Sequence, residues 1–251
     1  MLPDADDGSY APEWEGDGAG GFGQDVGALF LQPEEWVEED VAVGANTFRV
    51  RCLAGDNRHI KSQTGLMRWE GSAALARFIA SSKSLLLNKS VLELGCGTSP
   101  LPSLAALAAQ PTKVYVTDGS PNVVNMAERN IIGNCGIVDT SRAQFRVIEW
   151  GNNEQIEDIV QEVPSGFDVV LGADVLYSKL AVPLFFSTCT KLLVKSNTAR
   201  LLVCYIIRSV SEAEVLKCAR SAGFEWESLK HQLPTAEGDC PSLQLMMFHR
   251  A

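Results

Sequence analysis

The sequence lacks several features that would assign it to common functional classes. It has no run of 18 apolar residues and no basic segment followed by an apolar one near residue 1, so we expect neither a membrane span nor export. It has no dense run of Lys or Arg, which counts against a nucleic-acid substrate because concentrated positive charge binds phosphates. We therefore expect a cytoplasmic protein, with the nucleus as the alternative.

Histidine is scarce, and the cysteines are not paired in sequence. The chain has three histidines, far apart, and no Cys-x-x-Cys motif, so we predict no metal site. Seven cysteines, odd in number and widely spread, are typical of reduced thiols rather than of a disulfide framework. They are Cys52, Cys96, Cys135, Cys189, Cys204, Cys218 and Cys240.

Residues 1–45 contain no Lys or Arg. Of the 31 acidic residues, twelve fall in this leader, which leaves 19 acids against 21 bases in the rest of the chain. Its glycine-rich stretch, residues 16–27, has too little apolar material to form a core, so we expect disorder over about residues 1–28. Trp36 and Val37 interrupt the acids and are candidates for docking on the domain. We predict an acidic leader over residues 1–45 and one domain over residues 46–251.

Apolar runs bounded by cap residues predict alternating strands and helices. Strands are expected over residues 47–53, 91–94, 113–117, 144–149, 167–173 and 199–207, and an antiparallel pair over 224–229 and 243–249. Ser99-Pro100 and Ser120-Pro121 predict helix starts, with each serine as the cap. The predicted fold is α/β: a doubly wound, mostly parallel seven-strand sheet with an antiparallel C-terminal pair. Ligands should bind outside the carboxyl ends of its strands.

The stretch 91–119 indicates a strand, a glycine turn, a helix and a second strand that ends in an acid. Asp118 lies 23 residues after Gly95, where an acid accepts hydrogen bonds from ribose hydroxyls. Pro100 stands where a dinucleotide fingerprint has its third glycine, and Glu93 would repel a pyrophosphate but attract an ammonium or sulfonium group. S-adenosylmethionine (SAM) carries both cations and an adenosine, so it is the predicted ligand.

Aromatic and acidic residues stand near the same predicted edge of the sheet. Trp150 follows the third parallel strand, and Trp69 precedes the first helix. Asp174 and Tyr177 follow the fourth strand in the sequence Asp-Val-Leu-Tyr. Because an aromatic ring can pack on adenine or face a sulfonium cation, the two tryptophans are candidate walls of the site.

With these motifs the chain resembles the seven-strand SAM-dependent methyltransferases. Within them it resembles the protein-lysine group that includes the elongation-factor, Hsp70 and calmodulin lysine methyltransferases. The resemblance covers about residues 60–230. It rests on the Gly-x-x-x-Trp segment ending at Trp69, the Glu-Leu-Gly-Cys-Gly loop of residues 93–97, Asp118, Trp150 and the Asp-x-x-Tyr motif of residues 174–177. Ser99 departs from the family, which usually has a third glycine there, and the leader matches nothing we identify.

The resemblance implies roles for ten residues. The cofactor site would comprise Trp69, Glu93, Gly95, Cys96, Gly97, Asp118, Trp150 and Ala173. Glu93 would contact the methionine amino group directly or through water, and Asp118 would hold the ribose. Asp174 and Tyr177 would form the channel for the acceptor lysine of a protein substrate. We expect the enzyme to be a monomer.

Other acceptors and a non-catalytic role stay open. Amino-group DNA methyltransferases carry an Asn/Asp-Pro-Pro-Tyr segment and cytosine-C5 enzymes a Pro-Cys nucleophile, and this chain has neither. A small-molecule acceptor and a protein arginine or histidine acceptor are alternatives. A silent cofactor-binding scaffold is a further one, against which the intact pair Asp174 and Tyr177 argues.

Deletion of residues 1–28 is expected to leave the melting temperature and the affinity for SAM nearly unchanged, because these residues contribute charge but little predicted core. Thermal unfolding and titration calorimetry on the full and shortened chains make the comparison. A large loss of either quantity would show that the leader packs on the domain.

Overall fold

The computed structural model describes residues 35–54, 61–233 and 240–251, with the backbone alone at residues 61–63. The predicted disorder of residues 1–28 falls on residues that lie outside the described ranges. The strands are β1 (Trp36–Val43), β2 (Asn46–Leu53), β3 (Ser90–Leu94), β4 (Lys113–Asp118), β5 (Ala143–Val147), β6 (Val169–Ala173), β7 (Arg200–Ile206), β8 (Phe224–Ser228) and β9 (Leu243–Arg250). The α-helices are α1 (Glu70–Ser81), α2 (Leu101–Ala108), α3 (Pro121–Gly133), α4 (Asn153–Glu162), α5 (Ala181–Leu192) and α6 (Glu212–Ser221). Among these helices, none has the length and apolar character needed to cross a membrane.

Seven of the strands form one sheet in the order β5-β4-β3-β6-β7-β9-β8. Strands β3 to β7 run parallel, and β9 is antiparallel to both β7 and β8. The predicted fold class is therefore confirmed. Chain order reverses between β3 and β6, which opens a crevice at the carboxyl ends of these two neighbours.

Helices cover both faces of the sheet. Val91 of β3 packs in a hydrophobic core with side chains of α1, α2 and α3, whereas its neighbours Leu92 and Leu94 pack in a second core with α4, α5 and α6. A strand buried on both faces needs apolar residues at successive positions. This double burial explains why the parallel strands are continuous apolar runs in the sequence.

Local cap signals place the helices correctly, with one exception. Ser211 caps α6 through the predicted capping box with Glu214. The prediction that Ser99 caps α2 is wrong, because Pro100 occupies the cap position and the helix begins at Leu101. In a tight turn before the helix, the Leu101 N–H donates to the Ser99 carbonyl. Pro100 therefore stands between Ser99 and the first helical residue. The Ser99 hydroxyl is instead buried, and no described residue is its hydrogen-bond partner.

A two-stranded hairpin precedes the sheet. Strand β1 pairs with β2 in antiparallel register around Gly44, whose φ is 60°. Buried hairpin side chains join the core formed with α1 to α3; they are Val41, Val43, Phe48 and Val50. Strand β1 falls in the predicted leader, and the proposed boundary at residue 45 lies in the hairpin turn. That boundary stays a prediction.

Two asparagines of α3 bond to the edge of β2 that faces away from β1. The Asn130 amide accepts from the Arg51 N–H (2.9 Å) and donates to the carbonyls of Arg51 (3.0 Å) and Thr98. Asn134 accepts from the Arg49 N–H (3.1 Å) and donates to the Arg49 carbonyl (2.8 Å). Four residues along a helix rise about 6 Å, and two residues along a strand rise about 6.7 Å. The spacing from Asn130 to Asn134 therefore matches the spacing from Arg51 to Arg49. Side-chain amides thus satisfy backbone groups that an edge strand would expose.

Asn130→Ala is expected to destabilise the fold by about 2 kcal/mol, because it leaves buried backbone groups of Arg51 and Thr98 without their partner. The matched control is Asn125→Ala on the exposed face of the same helix, which should be neutral or slightly stabilising because alanine is the better helix former. Urea unfolding measures both variants. Equal stability of the two would contradict an edge-pairing role for Asn130.

Candidate functional site

A cleft of about 1070 Å³ opens at the carboxyl ends of β3, β4 and β6. Nine of the ten residues proposed from the sequence line it: Trp69, Gly95, Cys96, Gly97, Asp118, Trp150, Ala173, Asp174 and Tyr177. The tenth, Glu93, does not. In the described part of the chain, no group of three or more His, Cys, Asp or Glu side chains is arranged to hold a metal ion.

The loop after β3 needs its two glycines for conformation and for space. Gly95 and Gly97 have φ of 75° and 60°, in the left-handed region that side chains disfavour. A Cβ at Gly95 would lie 2.9 Å from Val175 and 3.0 Å from the Trp150 ring. The loop is held to the neighbouring strand β4, since the Gly95 N–H donates to the Thr117 carbonyl. Its backbone can therefore approach a ligand without a side chain in the way.

Asp118 ends β4 with its carboxylate in the cleft wall. One oxygen accepts from the Gly97 N–H (3.1 Å) and the other from the Ser120 N–H (3.1 Å). Burial raises the pKa of Asp118 above its ordinary value, while the two N–H groups act to lower it. These bonds fix the carboxylate between the glycine loop and the start of α3.

Glu93 lies behind the cleft wall. One of its oxygens accepts from both the N–H (3.0 Å) and the hydroxyl of Ser103 in α2. Burial raises its pKa to about 8, against the lowering effect of these donors. The sequence argument placed a charged Glu93 beside the ligand, whereas here the group is 1% exposed and bound to a helix. A ligand contact by Glu93 stays a prediction.

Two tryptophans form parts of the wall. The Trp150 ring packs edge-to-face on Phe185, with ring centres 5.2 Å apart. The Trp69 indole N–H donates to the Thr64 carbonyl (2.7 Å), and the guanidinium of Arg208 lies 4.6 Å above the centre of its ring. Both aromatic planes are thus held in place by neighbouring groups.

The carboxylate of Asp174 is almost fully occupied by protein donors. One oxygen accepts from the Gly71 N–H (2.6 Å), and the other from the Ile206 N–H (3.0 Å) and from Arg208 (3.2 Å). The side chain is 1% exposed, and φ of Asp174 is 53°. Burial raises its pKa above the ordinary value, against the opposite effects of Ile206, Arg208 and Gly71. A Cβ on Gly71 would stand 2.6 Å from the carboxylate, so only glycine fits there.

The family model described as lysine methyltransferase matches residues 56–222. The chain belongs to this family. It is 34% identical over 132 residues to the protein-lysine N-methyltransferase EFM3 of Chaetomium thermophilum, an alignment that covers 51% of the chain and 38% of that relative. It is 29% identical over 138 residues to the protein N-lysine methyltransferase METTL21A of Danio rerio, covering 55% of the chain and 59% of the relative. The chain thus spans about half the length of such relatives.

Solved structures show the same fold at low sequence identity. The crystal structure of SMU.776 complexed with SAH has a TM-score of 0.60 and 11% identity, covering 87% of this chain and 56% of that one. Ribosomal protein L11 methylase of Lactobacillus delbrueckii has a TM-score of 0.51 and 14% identity, covering 72% and 78%. These likenesses agree with the family assignment at the level of the fold.

Sequence reasoning missed three charged residues that line the cleft: Glu149, Lys179 and Arg208. Arg208 follows β7 and contacts both Trp69 and Asp174. The sequence argument considered residues after the first four parallel strands and stopped there. The position of Arg208 directly after the fifth parallel strand was the available signal, because that strand also ends at the same edge of the sheet.

Glu93→Gln is expected to flatten the pH dependence of stability. The folded pKa is raised to about 8 from 4.5, so folding takes up a proton between these values, and the stabilisation present below pH 4.5 is lost as the pH rises toward 8. Relative to the variant, the wild type should lose about 2 to 3 kcal/mol between pH 5.5 and 7.5 in urea titrations. Glu157→Gln, at an exposed position of α4, is the control and should follow the wild type. Parallel curves for wild type and Glu93→Gln would contradict the expectation.

Proposed function

We propose that this protein is a SAM-dependent methyltransferase that transfers methyl groups to a lysine side chain of a protein. The observation that carries the proposal is the meeting in one cleft of the glycine loop and Asp118 with the segment from Asp174 to Tyr177. Membership of the lysine methyltransferase family supports it. The relatives named as protein-lysine methyltransferases support the choice of acceptor.

The residues of the cleft fit SAM. Each oxygen of Asp118 accepts one backbone hydrogen bond, and a carboxylate has about four lone-pair positions, so acceptor capacity remains for ribose hydroxyls. A side chain at Gly95 would clash with Val175 and Trp150, so glycine is what lets the loop lie this close to the Trp150 wall. When bound, SAM supplies the sulfonium methyl group that the acceptor nitrogen attacks. The complex of SMU.776 with SAH supports the same choice of cofactor.

The acceptor path must favour a neutral amine. The pKa of a lysine side chain is ordinarily about 10.4, and the amine attacks only when its lone pair is free. A bare carboxylate beside it would act against the reaction, because it would stabilise the ammonium. The three donors on Asp174 argue that it shapes the path and anchors its walls, rather than holding the acceptor as an ion pair. Tyr177 walls the entrance, and alignment of the amine by these walls lowers the barrier. The proton that the lysine ammonium must lose before it attacks goes to water.

The mouth of the cleft favours a macromolecular acceptor. Leu180 is 83% exposed, and its neighbours Tyr177 and Leu184, which line the cleft, are 44% and 45% exposed. Lys179 also lines the cleft and pairs with Glu214 (2.7 Å). Apolar side chains around an open entrance are typical of a surface that binds a protein, whereas a small molecule is usually enclosed.

We propose further that the protein is a cytoplasmic monomer without a nucleic-acid partner. All seven cysteines lie in the described part of the chain and none of them forms a disulfide there, which supports a reducing compartment. The near balance of charge after residue 45 supports the absence of a phosphate-binding surface.

Incubation with tritiated SAM and a size-fractionated cell extract tests the acceptor. We expect label in a protein band, released on hydrolysis as methylated lysine. Label in small solutes would favour the small-molecule alternative, and methylated arginine or histidine would favour those acceptors. Binding of SAM without any transfer would favour the silent scaffold.

Asp118→Ala is expected to weaken SAM binding by roughly 10- to 150-fold in titration calorimetry, because a charge-assisted acceptor for the ribose is lost. Asp158→Ala removes the same charge from the exposed surface of α4 and should bind SAM like the wild type. Unchanged affinity in a folded Asp118→Ala protein would remove this residue from the cofactor site.

A further inference from the structure

Arg208 is a cation in the cleft wall with no role in the function proposed so far. It stands two residues beyond β7, a third of its side chain is exposed, and it lines the cleft. Its guanidinium is 3.2 Å from an oxygen of Asp174, 3.5 Å from an oxygen of Glu70 and 4.6 Å from the centre of the Trp69 ring. A carboxylate pair and an aromatic face therefore hold it in one orientation.

These contacts bear on the charge next to the acceptor. Asp174 is a buried anion at the end of β6, and an anion near the acceptor path would raise the pKa of an incoming lysine and hold it as ammonium. Arg208 is the side-chain cation that contacts this carboxylate. Arg208 offsets one of the two carboxylate charges that it contacts, Asp174 and Glu70, so the field on the amine is weaker than it would be without the guanidinium.

We infer that Arg208 is a positioning residue for methyl transfer, which neutralises Asp174 beside the acceptor path so that the lysine reaches the methyl donor as a free amine. This inference rests on the proposed function, because it needs an acceptor that titrates. Stacking on Trp69 fixes the guanidinium where it neutralises the carboxylate. The same stacking ties the wall formed by Trp69 to the end of β7.

Other ionisable groups face this region from the neighbouring elements. They are Glu70 at the start of α1, Asp118 at the end of β4, Glu149 after β5, and Tyr177 and Lys179 before α5. Glu93 lies behind the loop with a pKa of about 8, and the Cys96 thiol is kept neutral because burial raises its pKa well above the ordinary value. All of them are present in both wild type and an Arg208 variant. A difference between the two pH profiles therefore reports on Arg208.

The test compares pH profiles of methyl transfer for the wild type, Arg208→Gln and Arg208→Lys. The probe is tritiated SAM with the protein band that the wild type labels in a cell extract, assayed from pH 6.5 to 9.5. Arg208→Gln should lose about tenfold in rate at pH 7, and its profile should move to higher pH by about one unit, because the acceptor meets an uncompensated carboxylate. SAM affinity by calorimetry should stay within a few-fold.

Arg208→Lys separates charge from packing. A lysine keeps the positive charge but not the planar stack on Trp69, so its pH midpoint should match the wild type while its maximal rate falls. A purely structural role for Arg208 would lower rates in both variants and move neither midpoint. Arg129→Gln, at an exposed position of α3, removes the same charge elsewhere and should leave rate and midpoint unchanged.

Each outcome decides between the two proposals. A wild type that labels no protein at any pH would overturn the proposed function and this inference together. Labelling by the wild type with the same midpoint in Arg208→Gln would overturn the inference alone. If Arg208→Gln does not fold, a shifted midpoint in Arg208→Lys would overturn it, because the charge is retained there.

Discussion

The carboxylate of Asp174 joins the end of β6 to the first turn of α1 and to the end of β7. It accepts from Gly71 in the first turn of α1, from Ile206 at the end of β7 and from Arg208 beyond it. Helix α1 has no cap from its own Trp69, so Asp174 satisfies a helix N–H from 103 residues away. A buried carboxylate is costly without such donors. Three segments that line the cleft are consequently held by one group.

Much of the fold could be predicted because its determinants are local. A strand buried on both faces must be apolar throughout, and a helix start is marked by its own first turn, as Ser211 marks α6. The glycine loop and Asp118 are similarly local, since the topology sends every parallel strand end to one edge. Nine of the ten proposed site residues therefore line one cleft, although their individual roles stay predictions.

The features that a linear reading does not show depend on contacts between distant parts of the chain. Pairing of β1 with β2 joins an acidic segment to a predicted strand, and composition alone placed the former in the leader, with no strand of its own. Glu93 was assigned to the ligand by its charge, but only the packing of α2 shows that Ser103 binds its carboxyl group. Arg208 becomes part of the cleft through Asp174 and Trp69, which are 34 and 139 residues away in sequence. A linear pattern identifies which residues follow a strand, not which atoms they meet.

The depth of the Asp174–Arg208 pair has a consequence for ionic strength. Mobile ions screen charges in water over about 8 Å at physiological salt, but they screen buried pairs much less. The Asp174 side chain is 1% exposed, whereas Lys179 and Glu214 at the mouth are 66% and 43% exposed. Arg208 is 33% exposed, so added salt should act more strongly on the entrance than on its pair with Asp174. A salt titration thus separates the encounter with the proposed acceptor protein from the proposed transfer that follows it.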